Sequence, residues 1–154
     1  DLRGDFGRYW HADRLIGIDQ RLPFEQAGRV FSHELGHAID KFTFGQGIPT
    51  DGLRKELSRI YEDLNTAGNF KPGRGATPKT LKYRPDEHDS ELMAEAIRAY
   101  LTDPNYIKTV APKTAARIRE YVNTNPNLNR VVQFNQFAPA ALGGGLLMQQ
   151  EEQK

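Results

Sequence analysis

The sequence predicts an α+β fold that is mostly helical, with a short N-terminal β-hairpin packed on a long helix. Two short apolar runs near the N-terminus, at residues 8–12 and 14–19, have the length of β-strands. Apolar residues then recur at helical spacing in four later segments. The length of 154 residues and the hydrophobic content of 38% fit one globular domain with a modest core.

The two apolar runs are expected to pair as an antiparallel hairpin around a turn at Asp13. If such a strand lies beside a catalytic helix, its edge could bind an extended peptide by strand addition. Alternatively, the strands could serve only to cover the core. The sequence leaves both roles open.

One amphipathic helix is predicted over residues 23–42. Pro23 suits a first helical turn, where its missing N–H would have no partner, and Glu25 places negative charge at the positive end of the helix dipole. Gly45 and Pro49 end the pattern. Apolar residues at helical spacing form one broad face: Ala27, Val30, Phe31, Leu35, Ala38, Ile39 and Phe42.

This helix carries the motif His33-Glu34-Leu35-Gly36-His37, which has the pattern H-E-x-x-H. Residues four apart lie on one helix face, so both imidazoles can reach one zinc ion, and Glu34 can polarise a water there. Asp40 continues the same stripe and could support the histidines. The alternative is two ordinary histidines on a helix. Zinc is favoured because two of only four histidines flank a glutamate at this spacing.

A hydrolytic zinc site needs three protein ligands and one open position for water. The longer metzincin form of the motif requires a glycine and a histidine where Asp40 and Thr43 stand, so that form is excluded. The third ligand must therefore be sought among the other histidines and acidic residues. The candidates are His11, Asp40, Glu87, His88, Asp89, Glu91 and Glu95.

A second amphipathic helix is predicted over residues 89–101, and it carries Glu91 and Glu95 one turn apart. Two carboxylates beside an apolar surface are costly to bury without a cation, which a zinc ion would provide. Glu91 would then bind the metal, and Glu95 could accept the N–H of a zinc histidine. A solvated acidic face is the alternative, and His88 remains a possible ligand just before the helix.

The two motifs together resemble the catalytic domain of anthrax lethal factor and related lethal-factor-like metallopeptidases. The matching segments are H-E-L-G-H-A-I-D at 33–40 and E-L-M-A-E-A-I-R at 91–98, and the resemblance covers about residues 16–134. It implies a zincin-like fold of the gluzincin type. In that fold three residues would hold one catalytic Zn²⁺, namely His33, His37 and Glu91.

The resemblance also implies roles for two residues near the metal. Glu95 would hold a zinc histidine in place. Tyr83, which stands eight residues before Glu91, would stabilise the oxyanion that forms on the substrate. His11 is the alternative donor to that oxyanion.

The predicted function is zinc-dependent hydrolysis of peptide bonds in a protein or peptide substrate, with Glu34 as general base for a zinc-activated water. The resemblance favours a toxin, effector or phage-encoded protease, and so a secreted or virion-associated protein over a resident cytoplasmic one. One alternative is a non-catalytic zincin-like binding module of a larger toxin or virion protein. Another is a zinc hydrolase that cleaves non-peptide amides or peptidoglycan cross-links.

The composition limits other functions. The net charge of +1 gives no general case for binding nucleic acid. No apolar run approaches the roughly 20 residues that a membrane span requires. The absence of cysteine excludes disulfides and thiolate metal sites.

The remaining chain is expected to support the domain. Helices are predicted over residues 51–64 and from Pro112 onward, and residues 131–137 could form a short strand or an extended segment. The Gly- and Pro-rich segment at 66–80 could be a flap that selects acidic substrates, or simply a solvated loop.

The composition changes after residue 137. We expect a metallopeptidase domain at 1–137, followed by a flexible tail or linker at 138–154, because that tail contains an Ala- and Gly-rich run and a polar end. Such a tail could join a further domain of a longer polypeptide.

Overall fold

In the computed structural model, a β-hairpin is followed by five α-helices within the residues that the structure describes. These are residues 6–10, 12, 15–42, 47–66, 75–126 and 128–129. The strands are β1 (Gly7–Trp10) and β2 (Leu15–Ile18), and the helices are α1 (Phe24–Phe42), α2 (Arg54–Asn65), α3 (His88–Thr102), α4 (Pro104–Val110) and α5 (Pro112–Thr124). A 3₁₀ turn, Pro85–Glu87, precedes α3. This architecture confirms the α+β, mostly helical class.

The hairpin lies against α1, the helix that carries the H-E-x-x-H motif. Strands β1 and β2 pair antiparallel, with Gly7 opposite Ile18. At Gly7 the strand comes so close to α1 that an added Cβ would overlap Val30 and lie 3.3 Å from Glu34 Cγ. This crossing therefore favours a residue without a side chain. The predicted strand pairing is confirmed, whereas the predicted turn at Asp13 lies outside the described residues.

Helix α3 lies at the centre of the fold. All residues from Glu91 to Tyr100 are buried, and the helix packs against α1, α2, α4 and α5. The apolar faces of its neighbours meet around it, and the burial of these faces is the main stabilising contribution in a domain without disulfides. The largest fully buried apolar side chains are Ile39, Leu57, Ile60, Met93, Ile97, Ile107 and Ile118.

Gly36 allows α1 to approach α3 closely. A Cβ added at Gly36 would overlap the carbonyl oxygen of Ala94 and lie 3.0 Å from Ala94 Cα. The two backbones therefore meet with no side chain between them. Because Gly36 lies inside the motif and Ala94 lies between Glu91 and Glu95, this crossing sets the distance between the histidines and the two carboxylates.

The sequence pattern does not predict helix α4. Asp103 and Pro104 are expected only to end the preceding helix, and α3 does end there. Pro104 also fits the first turn of α4, and Asp103 Oδ1 accepts the N–H of Tyr106 at 3.1 Å. The same two residues therefore end one helix and begin the next.

Some predicted features lie outside the described residues. They are the middle of the Gly- and Pro-rich segment at 67–74, the segment at 131–137 and the tail at 138–154. The helices predicted over 51–64 and from Pro112 are present as α2 and α5. In the described ranges, no helix combines the length and the apolar character that crossing a lipid bilayer requires.

We expect Gly36→Ala to lower the free energy of unfolding by about 1–3 kcal/mol, because the added methyl group must push α1 away from the Ala94 carbonyl. Gly28→Ala is the matched control in the same helix. Its Cβ would meet nothing within 4 Å, so it should be neutral or stabilise the protein by up to about 1 kcal/mol. Urea unfolding followed by circular dichroism measures both. Equal stability of the two variants would contradict the close crossing.

Candidate metal centre

Helix α1 presents His33 and His37 on one face, one turn apart. Their Nε2 atoms are 3.1 Å from each other, and the rings stand perpendicular with centroids 4.7 Å apart. Both side chains are largely buried, with 18% of His33 and 13% of His37 exposed. The two Nε2 atoms therefore face the same small volume.

Glu91 reaches this volume from α3. Its Oε2 lies 3.3 Å from His33 Nε2, and its Oε1 lies 3.2 Å from His37 Nε2. Oε2 is buried and has no hydrogen-bond partner among the described residues. Burial opposes ionisation of Glu91, but the facing His33 and His37 outweigh it and lower the pKa of Glu91 to about 2. The structure thus brings together the three residues that the sequence predicts as ligands.

The spacing of the three donors suits a tetrahedral metal ion. Atoms that bind zinc at about 2.0–2.1 Å in tetrahedral geometry lie about 3.3 Å from one another. The two imidazole Nε2 atoms are 3.1 Å apart, Glu91 Oε1 lies 3.2 Å from His37, and Glu91 Oε2 lies 3.3 Å from His33. The last two distances involve different oxygens of Glu91, and one ligand atom from each of the three residues lies within 4.8 Å of the others. A buried carboxylate oxygen without a hydrogen-bond partner at the same point is a further sign of a cation site. The group of His33, His37 and Glu91 could therefore hold a metal ion.

Glu95, one turn after Glu91, contacts the other nitrogen of His33. Its Oε1 lies 2.5 Å from His33 Nδ1. Burial disfavours a charged His33, but its contacts with Glu91 and Glu95 outweigh burial and raise the pKa of His33 to about 10. Burial also opposes ionisation of Glu95, yet His33 and Arg98 lower the pKa of Glu95 to about 2. A metal would replace the proton on Nε2 and leave the Nδ1–H contact with Glu95 intact.

His37 has a longer contact on its Nδ1 side. Ser90 Oγ lies 3.3 Å from His37 Nδ1. Ser90 could not be predicted as a neighbour of His37, because a serine one residue before Glu91 has no metal-site signal of its own. The contact depends on how α3 crosses α1, which only the structure shows.

Asp40 is buried one turn beyond His37. Its Oδ1 accepts the backbone N–H of Ile48 at 2.6 Å, and burial raises its pKa. Gly47 makes room for this contact: its φ is +83°, and a Cβ there would lie 2.9 Å from Asp40 Oδ2. Asp40 therefore holds the backbone of Ile48 beside α1, while its support of the two motif histidines stays a prediction.

Glu34 lines the same cleft as the three donors and is 9% exposed. Burial raises its pKa, and the neighbouring His33 and His37 partly oppose that rise. A hydrogen bond from the backbone of Tyr9 also reaches the Glu34 carboxylate, so β1 helps to hold it. A buried carboxylate with a raised pKa is suited to accept and return a proton.

Tyr83 lies in the segment before α3 and lines the cleft. Burial raises its pKa, and the charges of Glu91 and Glu34 raise it further. The hydroxyl therefore keeps its proton and can donate a hydrogen bond. His88 Nε2 lies 3.0 Å from the backbone carbonyl of Tyr83. The alternative donor, His11, lies outside the described residues.

The other described candidates for the third ligand have partners elsewhere. Glu87 Oε2 accepts the backbone N–H of Arg84 at 2.9 Å, and Asp89 Oδ1 accepts from Arg54 at 2.6 Å. His88 contacts a backbone carbonyl, as described above. Within the described ranges, the one group of donors close enough to hold a metal is formed by the two motif histidines and Glu91.

The donor group lies in a cleft of about 1010 Å³. Its walls come from the hairpin, α1, α2, the segment that carries Tyr83, and α3. Two apolar side chains in the cleft wall are open to solvent: Phe6 is 64% exposed and Leu81 is 40% exposed. The volume exceeds what a metal ion needs and leaves room for an organic ligand with apolar groups.

Comparisons of the chain with models of protein families, with curated proteins and with solved structures find no match. The resemblance to lethal-factor-like metallopeptidases therefore stays a prediction from the two motifs. Function has to be inferred from the residues of the site.

We expect the protein to bind one zinc ion per chain. Glu91→Ala should weaken zinc binding by more than the roughly 10- to 100-fold that is typical of losing a residue that supports a ligand. Glu87→Ala, which removes a nearby carboxylate outside the donor group, should bind zinc like wild type. Elemental analysis and competition with a chelator measure both. A wild-type protein that stays free of zinc even when zinc is supplied would contradict the expectation.

Proposed function

We propose that this protein is a zinc-dependent endopeptidase with a zincin-like domain of the gluzincin type. The observation that carries the proposal is the convergence of His33, His37 and the Glu91 carboxylate. Glu34 lines the cleft beside them. Two histidines from H-E-x-x-H and one carboxylate from a later helix form a donor set that hydrolytic zinc peptidases use.

Zinc suits this donor set in both chemistry and charge. Imidazole nitrogen and carboxylate oxygen are ordinary zinc ligands. Three of the four buried carboxylates in the described part of the chain line the cleft, namely those of Glu34, Glu91 and Glu95, and the buried Arg98 guanidinium pairs only with Glu95 among them. Buried charge of one sign is costly. A divalent cation held by neutral histidines would balance the two remaining negative charges.

When bound, zinc supplies the Lewis acid that lowers the pKa of a water and polarises the peptide carbonyl. Glu34 acts as the base: its carboxylate accepts the proton that this water loses. It then gives the proton to the departing amine nitrogen. The raised pKa of Glu34 suits both steps, and the hydrogen bond from Tyr9 keeps the carboxylate in place.

Tyr83 stabilises the charge that develops on the substrate. As the carbonyl carbon becomes tetrahedral, its oxygen gains negative charge, and the Tyr83 hydroxyl donates a hydrogen bond to it. The raised pKa of Tyr83 keeps the proton on the hydroxyl for this purpose. Glu34 thus acts on the attacking water and the departing nitrogen, and Tyr83 acts on the carbonyl oxygen.

A protein or peptide is the substrate class that the cleft favours. The cleft continues well beyond the donor group, from the hairpin to the Tyr83 segment, and exposed Phe6 and Leu81 offer contacts for apolar side chains. By its resemblance, the proposed peptidase belongs to a toxin, an effector or a virion-associated protein.

We expect Glu34→Gln to bind zinc like wild type but to lose about 10²- to 10⁴-fold in turnover, because the amide cannot accept the proton. Glu120→Gln, on the exposed face of α5, is the control and should keep full activity. Digests of unfolded proteins, read by mass spectrometry, measure turnover, and cell-wall fragments test the non-peptide alternative. Full activity of Glu34→Gln would rule out this mechanism.

We expect Tyr83→Phe to lower kcat/KM by about 100-fold, since one donor to the oxyanion is removed. Tyr106→Phe is the matched control, because its hydroxyl donates to Asp63 at 2.7 Å, away from the cleft. Steady-state kinetics on a cleaved peptide measures both variants. Unchanged activity of Tyr83→Phe would exclude Tyr83 and leave His11 as the donor to test.

A further inference from the structure

The two oxygens of Glu95 have different partners. Oε1 lies 2.5 Å from His33 Nδ1, on α1. Oε2 accepts from both Nε and a terminal nitrogen of Arg98, at 3.1 and 2.5 Å, and from Asn65 Nδ2 at 3.2 Å. The carboxylate is therefore held from one side while it contacts His33 on the other.

The Arg98–Glu95 pair is buried, with 8% of Arg98 and 3% of Glu95 exposed. A buried ion pair often gives no net stability over apolar residues of the same size, so stability alone is a weak reason for its presence. The guanidinium places two N–H groups on one oxygen of Glu95. Two N–H groups of one rigid, planar guanidinium hold that oxygen in a more defined position than a single flexible lysine ammonium would.

Asn65 contacts the Glu95 carboxylate from helix α2. It is the last residue of α2, and its Nδ2 donates to the Tyr61 carbonyl at 3.0 Å as well as to Glu95. The hydrogen bond to Tyr61, within the final turn of α2, therefore holds the Asn65 side-chain amide where it can donate to Glu95. Residues from three helices, α1, α2 and α3, thus meet at one carboxylate.

We propose that Arg98 and Asn65 are positioning residues of the metal centre: they orient Glu95, and Glu95 orients the His33 ring so that Nε2 faces the metal. This inference rests on the proposed zinc site. It goes beyond the sequence prediction, which ends at Glu95. It also makes the two histidines unequal, because the contact that the described residues give His37 Nδ1 is the longer one to Ser90, at 3.3 Å.

The test is the zinc affinity of Arg98→Met, measured by chelator competition in the full chain, with and without Glu95→Gln. Alone, Arg98→Met should weaken zinc affinity by about 10-fold or more. In the Glu95→Gln background, Arg98→Met should cause no further loss of zinc affinity. Glutamine has one acceptor oxygen, so it cannot accept from Arg98 and from His33 at the same time, and the link between them is already broken. Equal losses in both backgrounds would overturn the proposal, since Arg98 would then act independently of Glu95.

Two further variants distinguish a positioning role of Arg98 from a general loss of stability. Arg98→Lys keeps the charge but lacks the planar guanidinium, and it should recover only part of the affinity. Arg54→Met is the matched control, because it removes an exposed α2–α3 ion pair with Asp89 and should leave zinc affinity unchanged. The visible absorption spectrum of the cobalt-substituted protein should change for Arg98→Met and not for Arg54→Met, because it reports ligand geometry.

Asn65→Ala keeps the proposal testable if Arg98→Met fails to fold. It should weaken zinc affinity several-fold with Glu95 present and not in the Glu95→Gln background. If wild type binds zinc and neither Arg98→Met nor Asn65→Ala changes its affinity, the positioning role is wrong while the proposed function stands. A wild type that binds no zinc would instead overturn the proposed function, and the positioning role with it.

Discussion

The close crossing of α1 and α3 at Gly36 and Ala94 is the constraint on which the rest of the site depends. Side chains near a helix crossing can meet only if the backbones approach, and here a glycine permits an approach that any other residue would prevent. Because the crossing lies inside one motif and between the two glutamates of the other, it brings both sets of donors to one place. The hairpin then packs on the same helix through Gly7 and holds Glu34.

Electrostatics explains why this packing is compatible with a buried acidic centre. Helix α3 is buried along almost its whole length, yet it carries Glu91, Glu95 and Arg98 among its buried residues. Each carboxylate meets a positive or potentially positive group: Glu95 meets Arg98 and His33, and Glu91 meets both histidines. His33 is therefore shared between the two carboxylates, with Nε2 facing Glu91 and Nδ1 facing Glu95. This division assigns the proposed metal to Glu91 and its support to Glu95.

Much of this arrangement could be predicted from local sequence patterns. Helical periodicity predicted the helices that carry the two motifs. The carboxylate pair on the second helix, together with the resemblance, predicted Glu91 as the third ligand. The contacts of Asn65 and Ser90 could not be predicted, because they depend on how separate helices pack.

Helix α4 was missed for a local reason, since Asp103 and Pro104 signal both the end of one helix and the start of another. Asp40 shares a helix face with the histidines, yet it accepts a hydrogen bond from Ile48, which lies beyond the helix and outside its periodic pattern.

The three donors come from two helices between which the whole of α2 lies in the chain. In an unfolded chain they would be far apart, so an ion with high affinity for all three would bind only the folded state. Such an ion adds its binding free energy to folding, in proportion to the logarithm of its concentration over its dissociation constant. In a chain that has no cysteine, the centre can thus act as a reversible cross-link between its first and third helices. The supply of metal would then govern how much of the protein is folded.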